Sequence, residues 1–138
     1  MNVAIQGEIA GLNIQGNRLK QNTRFVRFFN VFDINKCRYY NYKEFVEFIH
    51  SLGYETVPIL DDNFKLTNDI DELVKLSIGK SVINPSCMRE GIVIRPKEEL
   101  LDLGMTSNGG LGATGRLSMK VINPEYLLSE PSDIDKGE

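Results

Sequence analysis

The sequence predicts an α+β fold in which largely antiparallel strands are interrupted by two helices. Short apolar runs with strand-like composition are separated by turn residues and fall at residues 3–10, 24–34, 90–95 and 116–122. Two further segments, 42–52 and 70–78, have apolar residues at helical spacing behind a residue suited to capping. Strands and helices do not alternate regularly, and this order disfavours a doubly wound parallel sheet.

In the first half of the chain, turn residues set the limits of each element. The strand over 3–10 leads into a loop over 11–23 that is rich in Gly, Asn and Gln. The buried strand over 24–34 is followed by a turn and a short strand around Tyr39. Asn41 is suited to cap the helix over 42–52, and Gly53 to end it. Residues 54–60 are predicted to form an edge strand, because Pro58 has no N–H to donate.

In the second half, Asn68 or Asp69 is expected to cap the helix that precedes Gly79. Strands are predicted over 90–95 and 116–122, and the polar, glycine-rich segment 98–114 between them is predicted to be a mobile loop. Pro124 suits the first position of a short helix that runs to Leu128. The sequence therefore predicts one domain over residues 1–129 and a flexible tail over 130–138.

The composition is that of an ordinary globular protein and excludes several classes of site. The chain has 138 residues, of which 25% are charged and 41% hydrophobic, with a net charge of −3. A nucleic-acid partner would therefore need a local basic patch or a positive region outside this chain. His50 is the only histidine, which disfavours histidine metal sites and catalytic triads, and Cys37 and Cys87 are expected to be free thiols. No apolar run approaches the ~18 residues of a membrane span, and the protein is expected to be cytoplasmic.

Glu8 is the first candidate for chemistry, because it lies within an apolar strand. It alternates to the face shared by Ala4, Gln6 and Ala10. Small neighbours leave room for a ligand, and a carboxylate there can accept hydrogen bonds from sugar hydroxyls. The alternative is a glutamate at the end of a strand that faces water.

Phe32 and Asp33 close the second strand and are expected to point to opposite faces. Two interpretations of Phe32 are open: its ring stacks on a purine, or it is simply part of the core. Asp33 follows an aromatic run, and a carboxylate there is unfavourable unless it is paired or lies at the rim of the fold.

Two later segments place charges on apolar strands. Glu90 and Arg95 flank Gly91-Ile92-Val93-Ile94, and a carboxylate oxygen such as that of Glu90 suits Mg²⁺. In the last strand, Arg116, Ser118 and Lys120 are expected to share one face. A lysine midway along an apolar strand needs an anion or a route to water, and a phosphate would meet that need. The alternatives are an ordinary strand with charged ends and a lysine that faces solvent.

In this order, the four segments resemble the covalent nucleotidyltransferases, which include ligases and capping enzymes. Glu-Gly-Ile-Val-Ile-Arg at 90–95 and Ser-Met-Lys-Val-Ile-Asn-Pro-Glu-Tyr-Leu at 118–127 resemble motifs IV and V. Phe-Asn-Val-Phe-Asp-Ile at 29–34 resembles motif III. The opening segment, 5–17, is similar to one of the ATP-dependent RNA ligase branch, in which Gly-Glu is followed by Gly-x-x-Ile-Gln. That segment favours RNA ligases over DNA ligases.

The resemblance implies an ATP-grasp-like ligase domain with ATP as substrate, Mg²⁺ as cofactor and RNA strand ends as partner. The resemblance implies that Phe32 stacks on the adenine with Asp33 in support, and that Glu8 contacts the ribose. It implies that Gln15 faces the nucleic acid or nucleotide. Glu90 would act through the metal, and Lys120 would contact the α-phosphate. Glu8, Phe32, Glu90 and Lys120 are accordingly expected to converge on one cleft.

The sequence departs from the family pattern at two places. The second lysine that often ends motif V is replaced by Ile122. Motif I, Lys-x-Asp-Gly, which supplies the nucleophilic lysine, does not occur in this chain. The abrupt first strand predicts that the natural domain extends upstream. Since the nucleophile must be an amine placed against the α-phosphate, we expect this chain not to form lysyl-AMP by itself.

Three other readings of the sequence stay open at this point. The chain is also compatible with a DNA ligase nucleotidyltransferase domain and with a non-catalytic module that binds nucleotide or RNA. The third reading is a structural α+β domain whose motifs are coincidental.

Overall fold

A computed structural model of the chain describes residues 1–101 and 115–129. The chain divides into two compact units, of which the first comprises 1–62 with 95–118 and the second 63–94 with 119–138. Each unit contains antiparallel strands, and helices are interposed between them. The predicted α+β architecture with antiparallel sheets is confirmed.

The first unit is built on a three-stranded sheet in the order β1-β2-β3. Its strands are β1 (Val3–Gly11), β2 (Arg24–Asp33) and β3 (Arg38–Tyr39), and both pairings are antiparallel. The β1–β2 register shifts between Gln6 and Gly7, because β2 has one additional residue, Phe29, with no counterpart in β1. This β-bulge decides which side chains of the two strands share a face.

The first helix, α1 (Tyr42–Ser51), begins where the sequence predicts it. Asn41 and Glu44 form a capping box, in which the Asn41 N–H donates to Glu44 Oε2 at 2.9 Å. Ile49 is fully buried, and α1 packs against β2. Gly53 follows the helix with a φ of 76°, the left-handed conformation that commonly ends helices.

The edge strand predicted over 54–60 is wrong. This segment meets β2 at a single parallel bridge between Thr56 and Phe28, where Val57 N–H donates to the Phe28 carbonyl at 2.8 Å. The ladder does not continue, because Pro58 has no N–H and the bulge at Phe29 interrupts the edge of β2. Beyond the bulge this edge bonds to the segment that contains β3, beginning with Tyr40 N–H to the Val31 carbonyl at 2.9 Å.

The second unit contains α2 (Ile70–Ser77), the antiparallel pair β4 (Gly91–Ile94) and β5 (Met119–Ile122), and α3 (Pro124–Ser129). Asp69 caps α2 by accepting a hydrogen bond from the Glu72 N–H at 3.2 Å. The Arg89 guanidinium donates to the Ser77 and Ile78 carbonyls at 3.1 and 3.2 Å. Arg89 therefore satisfies carbonyls at the end of α2 that have no partner within the helix.

The last predicted strand is shorter than expected. Arg116 forms an isolated bridge with Leu101, and Leu117 N–H donates to the Leu100 carbonyl, so regular pairing with β4 starts only at Met119. Arg116 and Ser118 therefore do not share a strand face with Lys120, and that prediction is wrong. Of the mobile loop predicted over 98–114, residues 102–114 lie outside the described residues, as does the predicted tail over 130–138. No helix in the described part of the chain has the length and apolarity to cross a membrane.

Candidate functional site

The β1–β2 register sorts the side chains of the first unit into two faces. Directly opposed residues share a face, so one face carries the pairs Ala4–Phe32, Gln6–Asn30, Glu8–Arg27 and Ala10–Phe25. We term it the Glu8 face. The bulge at Phe29 is what brings Phe32 onto the same face as Glu8, at a separation of roughly 13 Å along the strands.

Phe32 is fixed on the Glu8 face by aromatic and cationic neighbours. Its ring lies edge-on to that of Tyr39, with the ring centroids 5.0 Å apart, and the Arg116 guanidinium lies 3.9 Å above the Tyr39 ring. The residue opposite Phe32 in β1 is Ala4, whose side chain is only a methyl group. Phe32 is half-buried, so its ring is neither wholly core nor fully exposed.

Asn30, on the Glu8 face, is the centre of a buried polar network. Its Oδ1 accepts hydrogen bonds from Arg95 Nη1 at 2.8 Å and Arg116 Nη1 at 2.5 Å, while its Nδ2 donates to Gln6 Oε1 at 2.8 Å. Arg116 also pairs with both carboxylate oxygens of Glu99, at 2.8 and 2.6 Å. Burial, and then the nearby charge of Arg116, lower the pKa of Arg95. The network thus holds two guanidinium groups around one side-chain amide.

The sequence did not identify Asn30 and Gln6 as site candidates. A polar residue within the aromatic run of β2 was a visible signal, but its partners Arg95 and Arg116 are 65 and 86 positions away. No local pattern connects residues at such separations, so the network could be found only in three dimensions.

Asp33 and Gln15 lie away from the Glu8 face. Asp33 belongs to the opposite face of β2, as predicted, and its Oδ1 accepts a hydrogen bond from the Lys36 N–H at 2.9 Å in the turn to β3. Gln15 is exposed in a 3₁₀ turn over Gln15–Asn17. Gln15 and Asn17 have φ angles of 44° and 51°, which is unfavourable for residues with a side chain unless their surroundings enforce it.

The Asn17 side chain enforces this backbone path. Its Nδ2 donates to the Gln21 carbonyl at 2.8 Å, and its Oδ1 accepts from the Gln21 N–H at 2.9 Å. These two hydrogen bonds fix the backbone of the loop between β1 and β2. Gln15 therefore lies exposed in a turn of defined conformation.

In the second unit, the structure brings Glu90 and Lys120 together. Lys120 Nζ donates to Glu90 Oε1 at 2.8 Å, and their side chains are 55% and 53% exposed. The β4–β5 register places Lys120 opposite Val93 and Ile122 opposite Gly91, so these four residues share a face. Lys120, Val93 and Ile122 are exposed, so this face is open to a ligand.

Two residues hold Glu90 in position beside Lys120. A Cβ on Gly91 would strike the Val121 carbonyl oxygen and lie 3.0 Å from Ile122 Cα, so only glycine permits this approach of β4 to β5. Asn123 is fully buried, its N–H donates to the Glu90 carbonyl at 2.8 Å, and its Nδ2 donates to the Arg89 carbonyl at 2.9 Å. Asn123 therefore fixes the two peptide groups on either side of Glu90.

Among the described residues, Glu90 is not part of a cluster of metal-binding side chains. Within residues 1–101 and 115–129, no group of three or more His, Cys, Asp or Glu side chains is arranged to hold a metal ion. Mg²⁺ is commonly bound by one or two carboxylates together with phosphate oxygens of a nucleotide. The Glu90 carboxylate fits an ion that arrives with a phosphate ligand.

Glu8 and Phe32 belong to the first unit and Glu90 and Lys120 to the second. The expectation that all four converge on one cleft stays a prediction.

Comparisons with known proteins agree on one family. The sequence model of the RNA ligase family matches residues 1–122. A mutant of Naegleria gruberi RNA ligase with ATP and Mn is 30% identical, with a TM-score of 0.74 over 92% of this chain and 34% of that chain. Another mutant of that ligase, with AMP and Mn, is 29% identical, with a TM-score of 0.75 over 94% of this chain and 34% of that chain.

The Naegleria gruberi RNA ligase with PPi is similar to the same degree, at 30% identity and a TM-score of 0.73 over 92% of this chain. This chain therefore spans about a third of the length of the solved ligases that it matches, 34% in each of these cases. No curated protein matches the sequence.

Proposed function

Because this chain belongs to the RNA ligase family, we propose that it forms part of the nucleotidyltransferase domain of an ATP-dependent RNA ligase. In the parent protein, a lysine attacks the α-phosphate of ATP and releases pyrophosphate. The AMP then passes to a 5′-phosphate end of RNA, and a 3′-hydroxyl displaces it as the strands are sealed. Solved relatives that hold ATP, AMP or PPi support this proposal.

The proposed roles in the first unit concern the adenosine part of the nucleotide. Phe32 stacks on the adenine and Glu8 accepts hydrogen bonds from the ribose hydroxyls. Their common position on the Glu8 face supports this assignment. Asp33 supports the pocket indirectly through the β2–β3 turn, and Gln15 contacts the nucleic acid or nucleotide from the loop after β1.

The proposed roles in the second unit concern the phosphates. Lys120 contacts the α-phosphate, and Glu90 ligates a divalent cation carried by the nucleotide. Such a cation, when bound, neutralises phosphate charge. The observation that carries the proposal is the 2.8 Å contact between Lys120 and Glu90 on an exposed face of β4 and β5. An ion pair this exposed contributes little to stability, so exchanging it for phosphate and metal partners is not costly.

Nucleotide binding by the chain itself tests these assignments. We expect the 138-residue chain to bind ATP in the presence of Mg²⁺ or Mn²⁺, measured by calorimetry. Lys120→Ala should weaken ATP binding at least about tenfold, because a charge-assisted contact to phosphate is worth roughly 1.5–3 kcal/mol. Its free energy of unfolding should change by less than ~0.5 kcal/mol. Lys43→Ala, which removes another exposed lysine paired with a glutamate, is the matched control.

Glu90→Gln separates the metal role from a purely structural one. This variant keeps the side-chain shape and removes the negative charge, so the gain in ATP affinity on adding Mg²⁺ should be largely lost. Absence of ATP binding by the wild-type chain would overturn the proposal. Equal ATP affinities for wild type and Lys120→Ala would overturn the role of β5.

A further inference from the structure

We propose that Gln6 reads the edge of the purine ring with its side-chain N–H groups, and that Asn30, Arg95 and Arg116 fix which end of the Gln6 amide faces the ligand. The inference rests on the proposed function, since it takes a purine nucleotide as the ligand of the Glu8 face. It adds Gln6 as a residue that determines base specificity. It also adds a set of buried residues that positions Gln6, namely Asn30, Arg95 and Arg116, which we term the relay.

The first step of the relay is the orientation of Asn30. Its Oδ1 accepts hydrogen bonds from both Arg95 and Arg116, and a guanidinium is only ever a donor. Rotating the amide by 180° would point the NH₂ group at two donors. Asn30 is 8% exposed, so water does not replace the lost bonds. The position of Nδ2 is therefore set by the arginines.

The second step carries this orientation to the surface. Asn30 Nδ2 donates to Gln6 Oε1 at 2.8 Å, so a flipped Gln6 would oppose NH₂ to NH₂. Gln6 is exposed, unlike Asn30. Its Oε1 is thus engaged by Asn30 on the neighbouring strand, which leaves the two N–H donors of Nε2 for a ligand on the Glu8 face. An ordinary surface glutamine has no such fixed polarity.

The third step is the place of Gln6 on the Glu8 face. Gln6 lies between Ala4, which is opposite Phe32, and Glu8, so it separates the proposed adenine-stacking ring from the proposed ribose contact. The ring nitrogens N1, N3 and N7 of adenine are acceptors, and they match an oriented pair of N–H donors. A base stacked against Phe32 would therefore offer Gln6 an acceptor.

The chemical test compares ATP with analogues that each lack one ring acceptor, the 1-deaza, 3-deaza and 7-deaza forms. The wild-type chain should lose about threefold to tenfold in affinity for one of the three, as expected for one hydrogen bond. Gln6→Met removes the donors at similar volume. It should lower ATP affinity by the same factor and no longer distinguish that analogue from ATP. Ile5→Met, on the other face of β1, is the matched control and should keep the discrimination.

The relay is tested with Asn30→Asp, which keeps acceptors for both arginines and removes the donor to Gln6. A merely structural role of Asn30 predicts that this variant folds and discriminates like wild type. The relay predicts an undiminished thermal midpoint together with discrimination of less than about twofold, because a carboxylate at position 30 accepts from Gln6 Nε2 and turns the amide carbonyl toward the ligand. Asn35→Asp makes the same chemical change in the exposed turn after β2 and should leave discrimination intact.

The outcomes distinguish the inference from the function on which it rests. If the wild-type chain binds no ATP, both are overturned. If it binds ATP while Gln6→Met retains full affinity and discrimination, the role of Gln6 is overturned and the proposed function stands. Full discrimination by Asn30→Asp would overturn the relay alone.

Discussion

At the scale of single residues, the absence of a Cβ at Gly91 supports the proposed phosphate-binding role of Glu90 and Lys120. The residue separates Glu90 from the apolar part of β4, and a Cβ added to it would strike the Val121 carbonyl and crowd Ile122. Any side chain there forces β4 and β5 apart. Because Glu90 is attached to one strand and Lys120 to the other, such a displacement would also separate the ion pair.

We therefore expect Gly91→Ala to lower the free energy of unfolding by about 1–3 kcal/mol, the usual cost of overpacking. It should weaken ATP binding as well, although Gly91 has no side chain to contact a ligand. Denaturant unfolding and calorimetry measure the two effects. Gly53→Asn is the control, since Gly53 has no neighbour to clash with and asparagine tolerates its φ of 76°. A stable Gly91→Ala variant would show that the strands are not held by this close approach.

Single residues also show what the sequence can and cannot predict of the site. The sequence singles out Glu90 and Lys120 as candidates because charges within apolar strands are unfavourable without a partner, and the structure pairs the two with each other. The sequence predicts the strands on which Phe32 and Glu8 lie. Their shared face depends on the bulge at Phe29, and no turn residue or strand propensity in the sequence predicts that bulge. The role proposed for Gln6 depends on the buried partners of Asn30, which only the structure shows.

At the scale of elements, the helices were predicted more closely than the strands. Local signals define α1 and α2, because Asn41, Asp69 and Gly53 act on residues within a few positions of themselves. Strands need a partner, and the partner is remote. Residues 54–60 have strand-like composition but obtain only one bridge, and the last strand starts late because Arg116 and Leu117 bond to the Leu100–Leu101 segment.

The capping box of α1 makes the stability of that element depend on pH. The Arg38 guanidinium, and next the Asn41 N–H, lower the pKa of Glu44 from its ordinary 4.5 to about 2. Folded Glu44 therefore stays charged where the unfolded chain takes up a proton. Its contribution to stability is present above pH 4.5 and is lost as the pH falls toward 2.

Glu44→Gln should accordingly lower the free energy of unfolding by about 1 kcal/mol at neutral pH, a modest value because Arg38 and Glu44 are 38% and 42% exposed. The difference from wild type should shrink as the pH falls below 4.5. Unfolding by urea at a series of pH values measures it. Glu47→Gln, on the same helix and 3.9 Å from Lys43, should differ little from wild type throughout. A constant difference between Glu44→Gln and wild type would refute the linkage.

At the scale of the whole molecule, the proposed function predicts that nucleotide binding and catalysis are separable in this chain. The chain has the segments that resemble motifs III, IV and V but no Lys-x-Asp-Gly, and it spans 34% of the solved ligases that it matches. Residues proposed to hold adenine, ribose, phosphate and metal are all present. Under the proposed mechanism the attacking group is a lysine amine of Lys-x-Asp-Gly, which this sequence does not contain, and only an amine gives the phosphoramidate of lysyl-AMP.

This chain should therefore bind ATP without becoming covalently labelled. Incubation with ATP radiolabelled at the α-phosphate and Mg²⁺ or Mn²⁺, followed by denaturing electrophoresis at neutral pH, should give no labelled band at its mass. An RNA ligase that contains Lys-x-Asp-Gly, treated in parallel, should be labelled, which shows that the conditions permit the reaction. ATP binding by calorimetry distinguishes a missing nucleophile from a misfolded site. A labelled band that survives denaturation would mean that one of the lysines outside any Lys-x-Asp-Gly sequence attacks the α-phosphate, and the assignment of the nucleophile would have to be abandoned.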